Sequence, residues 1–175
     1  ELFYSGARLG AVMVPIGWRL AAPEVAYILA DMGAKLLFID EGFDDLAAKA
    51  CAEMEASPTI LDTPTAKAEI DGAPAAQFDP AGADDAVLQL YTSGTTGEPK
   101  GIVQSHAMRW AHVRRSAAYG YGDDATTLIS TPLYSNTTLV AFLPTLALGS
   151  TVVLMGKFEA GEYLRLAQQH GVTHT

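Results

Sequence analysis

The stretch Leu88-Gln-Leu-Tyr-Thr-Ser-Gly-Thr-Thr-Gly-Glu-Pro-Lys-Gly-Ile-Val-Gln104 holds a polar loop between two apolar runs. Val87, Leu88, Leu90 and Tyr91 read as a strand, and Ile102 and Val103 as the start of another. In the loop, Gly94 and Gly97 remove side chains where the backbone turns or approaches a ligand, and Ser93, Thr95 and Thr96 set hydroxyls beside exposed N–H groups. These are the components of a phosphate cradle. Lys100 adds a cation that suits a phosphate or a developing negative charge, while Pro99 fixes its own φ and holds Glu98 extended. A Walker loop needs G-x-x-x-x-G-K-[ST] running straight into a helix. Here Gly97 is followed by Glu98-Pro-Lys-Gly101 and then by strand, so the loop's own N–H groups and hydroxyls must hold the anion. A Ser/Thr/Gly hairpin loop without a ligand is the plainer reading; the combination of both glycines, the hydroxyls, Pro99 and Lys100 in so short a span argues against it.

Upstream of this stretch, strand and helix alternate. Residues 2–9 carry apolar side chains at helical spacing, with Gly10 where a terminating glycine belongs, and Val12-Met-Val-Pro15 reads as a short buried strand. Pro23 opens a helix with Val25, Ile28 and Leu29 on one stripe, closed by Gly33. Lys35-Leu-Leu-Phe-Ile39 is a strand, residues 43–54 an amphipathic helix, and Thr59-Ile-Leu61 another strand. Residues 62–85 turn to Ala, Pro, Gly and acid without periodicity and read as a surface connection.

Downstream, Ser105 is placed to cap a helix from His106 to about Tyr119, closed by Gly120. Leu128-Ile129 is a strand, and residues 138–148 a helix broken or begun at Pro144. Thr151-Val-Val-Leu154 is a strand, a last helix begins near Glu159 and Glu162, and Val172-Thr-His-Thr175 ends the chain as strand. Two βαβ-type halves, 1–61 and 86–175, joined through 62–85, make this an α/β fold.

With 175 residues, 49% of them hydrophobic and 18% charged, the chain has enough apolar surface for a substantial core. A net charge of −9 with scattered Lys and Arg argues against nucleic acid or an anionic membrane as partner. One cysteine, Cys51, excludes an internal disulfide framework and fits a reducing, cytoplasmic setting. No apolar run reaches the roughly 18 residues of an integral membrane segment. His106 and His112 are six apart, not the spacing of a helical zinc pair. Arg109, Arg114 and Arg115 read as a solvated basic patch, and Leu139, Val140, Phe142, Leu143 and Leu146 as core or as the lining of an acyl pocket. Thr131-Pro-Leu-Tyr-Ser-Asn-Thr-Thr138 follows a strand end with clustered hydroxyls and an amide, which suits either a ligand contact or a helix start capped by Ser135 or Asn136.

Residues 91–101, Tyr-Thr-Ser-Gly-Thr-Thr-Gly-Glu-Pro-Lys-Gly, closely resemble the phosphate-loop signature of the AMP-forming acyl-adenylate enzymes: acyl-CoA synthetases, peptide-synthetase adenylation domains and beetle luciferases. The resemblance implies ATP binding and activation of a small-molecule carboxylic acid to an acyl-AMP, with CoA as acceptor in a fatty or related acyl-CoA synthetase. It implies that Thr92, Ser93, Gly94, Thr95, Thr96 and Gly97 wrap the ATP phosphates, that the Thr95 hydroxyl ligates Mg²⁺, and that Lys100 acts catalytically at the phosphates. Pro132-Leu-Tyr134 resembles a second family landmark, usually Pro-Leu-aromatic-His, whose His lies near the acyl carboxylate. Ser135 stands where that His would be, so Tyr134, Ser135 and Asn136 are the candidate substrate contacts, and Ser135 cannot become cationic. A peptide-synthetase-type adenylation domain and a non-catalytic nucleotide-binding module are the alternatives. The chain opens helix-like at Glu1-Leu-Phe-Tyr4 and stops within a strand pattern. It is therefore expected to be a fragment of the family's large N-terminal domain, truncated at both ends and inactive alone.

Overall fold

The computed structural model describes residues 2–74, 76–92 and 98–175, which form two compact units. The first comprises Glu1–Pro15, Pro80–Leu90 and Ile102–Thr175, the second Ile16–Asp79 and Tyr91–Gly101.

The second unit contains a parallel βαβ motif. Helix α2 (Ala22–Asp31) begins where the Glu24 carboxylate accepts the Ala21 N–H at 2.8 Å, and it buries Val25, Ala26, Ile28 and Leu29. Each fully buried Ile or Leu contributes about 1.5–3 kcal/mol. Gly33, at φ 61°, lets the chain leave the helix in a conformation a Cβ would strain. Strand β1 (Leu36–Ile39) then pairs in parallel with β2 (Thr59–Asp62) in the register Leu36 to Thr59, with α3 (Asp44–Ala52) as the crossover. The core gathers Val25, Ala26, Leu29 and Ala50, with Leu37, Leu46 and Cys51 against them.

The connection read over residues 62–85 contains a helix, α4 (Thr63–Gly72), whose first turn donates Thr65 N–H to Asp62 Oδ1 at 2.7 Å. Periodicity missed it because only Ala66 is buried along its length. Asp62 followed by Pro64 is nonetheless a helix-start signature.

In the first unit, α1 (Leu2–Arg8) sets Phe3 and Ala7 against the core. The expected strand at residues 12–15 is reduced to one parallel bridge, Met13 to Leu88, because Val12 is exposed and only Met13 exchanges backbone bonds with Val87 and Gln89. Strand β3 (Ala86–Thr92) pairs with β4 (Lys100–Ser105), and Ser105 caps α5 (His106–Ser116) by accepting the Met108 N–H, as its position predicts. A 3-10 turn, Ala117–Tyr119, follows and ends at Gly120 with φ 86°.

A second parallel βαβ motif comprises β5 (Thr126–Ile129), α6 (Asn136–Ala147) and β6 (Thr151–Leu154). The predicted break at Pro144 does not occur: α6 runs through it with Pro144 buried. The Thr145 hydroxyl lies 2.7 Å from both the Ala141 carbonyl and Thr127 Oγ1, binding this turn of α6 to β5. Leu139 and Leu143 enter the core beside Val87, Leu88 and Leu90, with Phe142 against it, whereas Val140 and Leu146 remain exposed. After α7 (Ala160–Gln169), the expected terminal strand is one bridge, His174 to Thr127.

Two helix starts carry an acid dependence. Backbone N–H bonds from Thr65 hold the Asp62 carboxyl below its ordinary value, and those from Gly161 and Glu162 do the same for Glu159. A carboxyl whose folded pKa is depressed stabilises the fold above the unfolded pKa and loses that contribution as pH falls through the folded one. Thermal unfolding followed from about pH 6 to about pH 3 is expected to show a falling midpoint. The fall should be shallower in the Asp62→Asn, Glu159→Gln variant, whose amides still accept the capping bonds but do not titrate.

Candidate functional site

The phosphate-loop residues lie where two paired strands end. Thr92 is the last residue of β3 and Lys100 the first of β4, and both are exposed. Ser93, Gly94, Thr95, Thr96 and Gly97, which join them, lie outside the described residues. A loop following the carboxyl end of a strand is where α/β sheets offer backbone donors to ligands.

Helix α2 of the same unit is tied to the end of β3 by a contact the sequence did not reveal. Tyr91 Oη donates to Asp31 Oδ2 at 2.5 Å, joining the residue before Thr92 to the last turn of α2. Tyr27, four residues before Asp31 on that helix face, has its phenol pKa raised by desolvation, then by the charges of Asp31 and Glu98. The end of α2 is thus bonded to Tyr91, and the charge of Glu98 acts on Tyr27. Tyr91→Phe removes the bond to Asp31 and keeps the ring. Its expected effect is a loss of about 1 kcal/mol of unfolding free energy, read from denaturant unfolding of the two forms side by side.

In the first unit, the segment after β5 forms a turn in which Ser135 N–H donates to the Pro132 carbonyl at 3.1 Å. The Thr131 and Thr138 hydroxyls lie 2.6 Å apart across it. Ser135 occupies the N-cap of α6, and its carbonyl accepts the Leu139 N–H, yet its side chain makes no capping bond. Tyr134 is half-buried and Asn136, the first helical residue, is exposed. The turn therefore brings Tyr134, Ser135 and Asn136 together at a helix N-terminus, with the Ser135 hydroxyl not spent on the helix.

Arg109 departs from its expected place in a solvated basic patch. It is 6% exposed, and its Nη2 donates to Asn136 Oδ1 at 2.7 Å. Arg109, Val113 and Ser116 are the buried residues of α5. Their spacing of four and three residues is the stripe that turns a helix face inward, so the signal was present in the sequence. Arg114 and Arg115 are exposed, as the patch reading had it. Burial pushes the Arg109 guanidinium below its ordinary pKa. It also lowers the His112 imidazole, helped by the charges of Arg109 and Arg115. Among the described residues, Arg109 Nε, His112 Nδ1, His106 Nε2 and Gln104 Oε1 are buried without a hydrogen-bond partner.

Among the described residues, no group of three or more His, Cys, Asp or Glu is placed to hold a metal ion. No helix there is long and apolar enough to cross a membrane. The proposed Mg²⁺ ligand, Thr95, lies outside the described residues.

A family model described as AMP-binding enzyme matches residues 1–175. The chain is similar to a feruloyl-CoA synthase of Amycolatopsis sp, 34% identical over 99% of this chain and 34% of that protein. It is also similar to the fatty acid–[acyl-carrier-protein] ligase ScoC of Streptomyces coeruleorubidus, 36% identical over 99% of this chain and 34% of that one. Among solved structures, ATP-bound MatB from Rhodopseudomonas palustris superimposes with a TM-score of 0.83 at 27% identity, over 96% of this chain and 35% of that one. The chain spans about a third of the length of the curated relatives it matches.

Proposed function

The chain belongs to the AMP-binding enzyme family, and from that premise we propose that the full-length protein activates a carboxylic acid with ATP and passes the acyl group to a thiol. A carboxylate oxygen attacks the α-phosphorus, the bond to pyrophosphate breaks, and acyl-AMP forms. The thiol sulfur then attacks the acyl carbon and AMP leaves. The observation that carries this reading is the family match over the whole chain, including Tyr91-Thr-Ser-Gly-Thr-Thr-Gly-Glu-Pro-Lys-Gly101.

In this reading Thr92, Ser93, Gly94, Thr95, Thr96 and Gly97 donate to the phosphates, and Lys100 opposes the charge that grows on pyrophosphate. The Thr95 hydroxyl is the proposed Mg²⁺ ligand. A hydroxyl oxygen would be a hard ligand of the kind Mg²⁺ takes. Mg²⁺ supplies charge neutralisation at the phosphates when bound. Tyr134, Ser135 and Asn136 receive the acid. A cytoplasmic setting belongs to the same proposal, supported by the lone Cys51.

CoA is the acceptor the feruloyl-CoA synthase likeness supports. The likeness to an acyl-carrier-protein ligase favours a carrier-protein thiol as the second reading. The test is acid-dependent ATP–pyrophosphate exchange by the full-length protein with hydroxycinnamic and fatty acids of graded length, followed by thioester formation with CoA or with a phosphopantetheinylated carrier. Exchange with one acid class supports activation, and the thiol consumed decides the acceptor. ATP binding without exchange for any acid would turn the reading to a nucleotide-binding module.

A further inference from the structure

The buried face of α5 carries a cation whose charge the fold does not explain by ion pairing. Among the described residues Arg109 has no carboxylate partner, its Nε is shut from solvent without an acceptor, and its hydrogen bond goes to a neutral amide on an exposed residue. An apolar side chain of similar length would fill the same space without the cost of desolvating a charge. The arrangement gains something else. A guanidinium has only donors, so the Asn136 atom it meets must be the carbonyl oxygen. The two ends of an amide are otherwise interchangeable in shape, and here the cation decides between them.

We propose that Arg109 is a positioning residue that locks the Asn136 amide with Oδ1 held inside, so that Nδ2 presents its two N–H donors beside the Ser135 hydroxyl to the carboxylate of the acid. The geometry is compact. Asn136 opens α6, the Ser135 carbonyl is fixed by Leu139 N–H, and the Thr131–Thr138 contact closes the turn around them. The bond to a charged donor is stronger than one between neutral groups and resists the amide flip that would turn an acceptor toward an anion. Ser135 supplies a second donor that does not titrate in the neutral range. The inference rests on the acid-activation reading and adds to it a residue remote from the Pro-Leu-Tyr-Ser segment in sequence.

The decisive variant is Asn136→Asp in the full-length protein. The carboxylate would pair with Arg109 and keep or strengthen the anchor while presenting no donor. If the pair only braces α5 against α6, Asn136→Asp should behave as wild type. If it orients a donor, the acid KM should rise about tenfold or more with the melting temperature unchanged or higher, and the ATP KM should stay within about twofold. Arg109→Met is expected to raise the acid KM in the same way, and Arg109→Lys, which still presents only donors, to restore part of the loss. Asn136→Asp keeps the test decisive where Arg109→Met fails to fold, since Asn136 is exposed. A wild-type acid KM in Asn136→Asp overturns the inference alone. Absence of acid-dependent exchange in the wild type overturns the activation reading, and this inference with it.

Discussion

Lys100→Ala in the full-length protein is expected to lower ATP–pyrophosphate exchange at saturating acid by about 10²–10³-fold, the usual cost of removing one preorganised group that meets transition-state charge. Lys100 is exposed at the first position of β4, directly after Pro99, and no described core cluster includes it. Its loss should therefore leave the fold intact, and the effect belongs to chemistry. A cation that binds ground-state ATP and the transition state equally well would change only KM. One that meets charge developing on pyrophosphate lowers kcat and kcat/KM together. The acid KM should not move, because Lys100 is assigned to the phosphates. Exchange measured over ranges of ATP and acid separates these parameters, with thermal unfolding as a control. An unchanged exchange rate would remove Lys100 from the mechanism.

The same contrast between strand-end residues and buried ones explains what could be read from the sequence. The parallel motifs β1-α3-β2 and β5-α6-β6 were legible because short β-branched and leucine runs alternate with helical stripes, a pattern that a chain can satisfy only by covering a parallel sheet. The Ser105 cap was legible because hydroxyl capping is local. Residues 12–15 misled because an apolar run announces burial, not pairing, and the partner that would extend Met13 into a strand is a matter of tertiary packing. Pro144 misled for the opposite reason. A helix-interior proline costs about 3 kcal/mol and so predicts a break, but burial of α6 along β5 and the Thr145 bonds offset a loss that local rules count in full.

At the candidate site, the phosphate loop was legible because its composition is its chemistry. The residues that hold its surroundings were not, since Asp31 is 60 positions from Tyr91, and Arg109 is 27 from Asn136. A charge patch is a statement about neighbours in sequence. The spacing of Arg109, Val113 and Ser116 placed Arg109 on a different face from Arg114, and reading periodicity before charge would have found it.

Leu88→Ala is expected to destabilise this part of the protein by about 3–5 kcal/mol. Leu88 has no exposed surface, sits centrally in β3, bridges Met13 and packs with Val87, Leu90, Leu139 and Leu143. Truncation to Ala removes buried methyl and methylene groups and leaves a cavity. Collapse into it is hindered because its walls come from β3 and from α6, a helix held to β5 by the Thr145–Thr127 contact. For a domain of this size such a loss corresponds to a melting temperature lower by roughly 6–20 °C. Leu88→Met, which nearly conserves volume, should cost under about 1.5 kcal/mol. The pair of variants separates a packing effect from a strand effect: if methionine were as damaging as alanine, shape at β3 rather than the volume of the core would be what α6 requires. Because β3 also carries Thr92 at its end, the alanine variant should lose ATP–pyrophosphate exchange on warming before the wild type does, in step with its unfolding. Loss of exchange at temperatures where the variant remains folded would instead show that Leu88 sets the geometry of the loop arm.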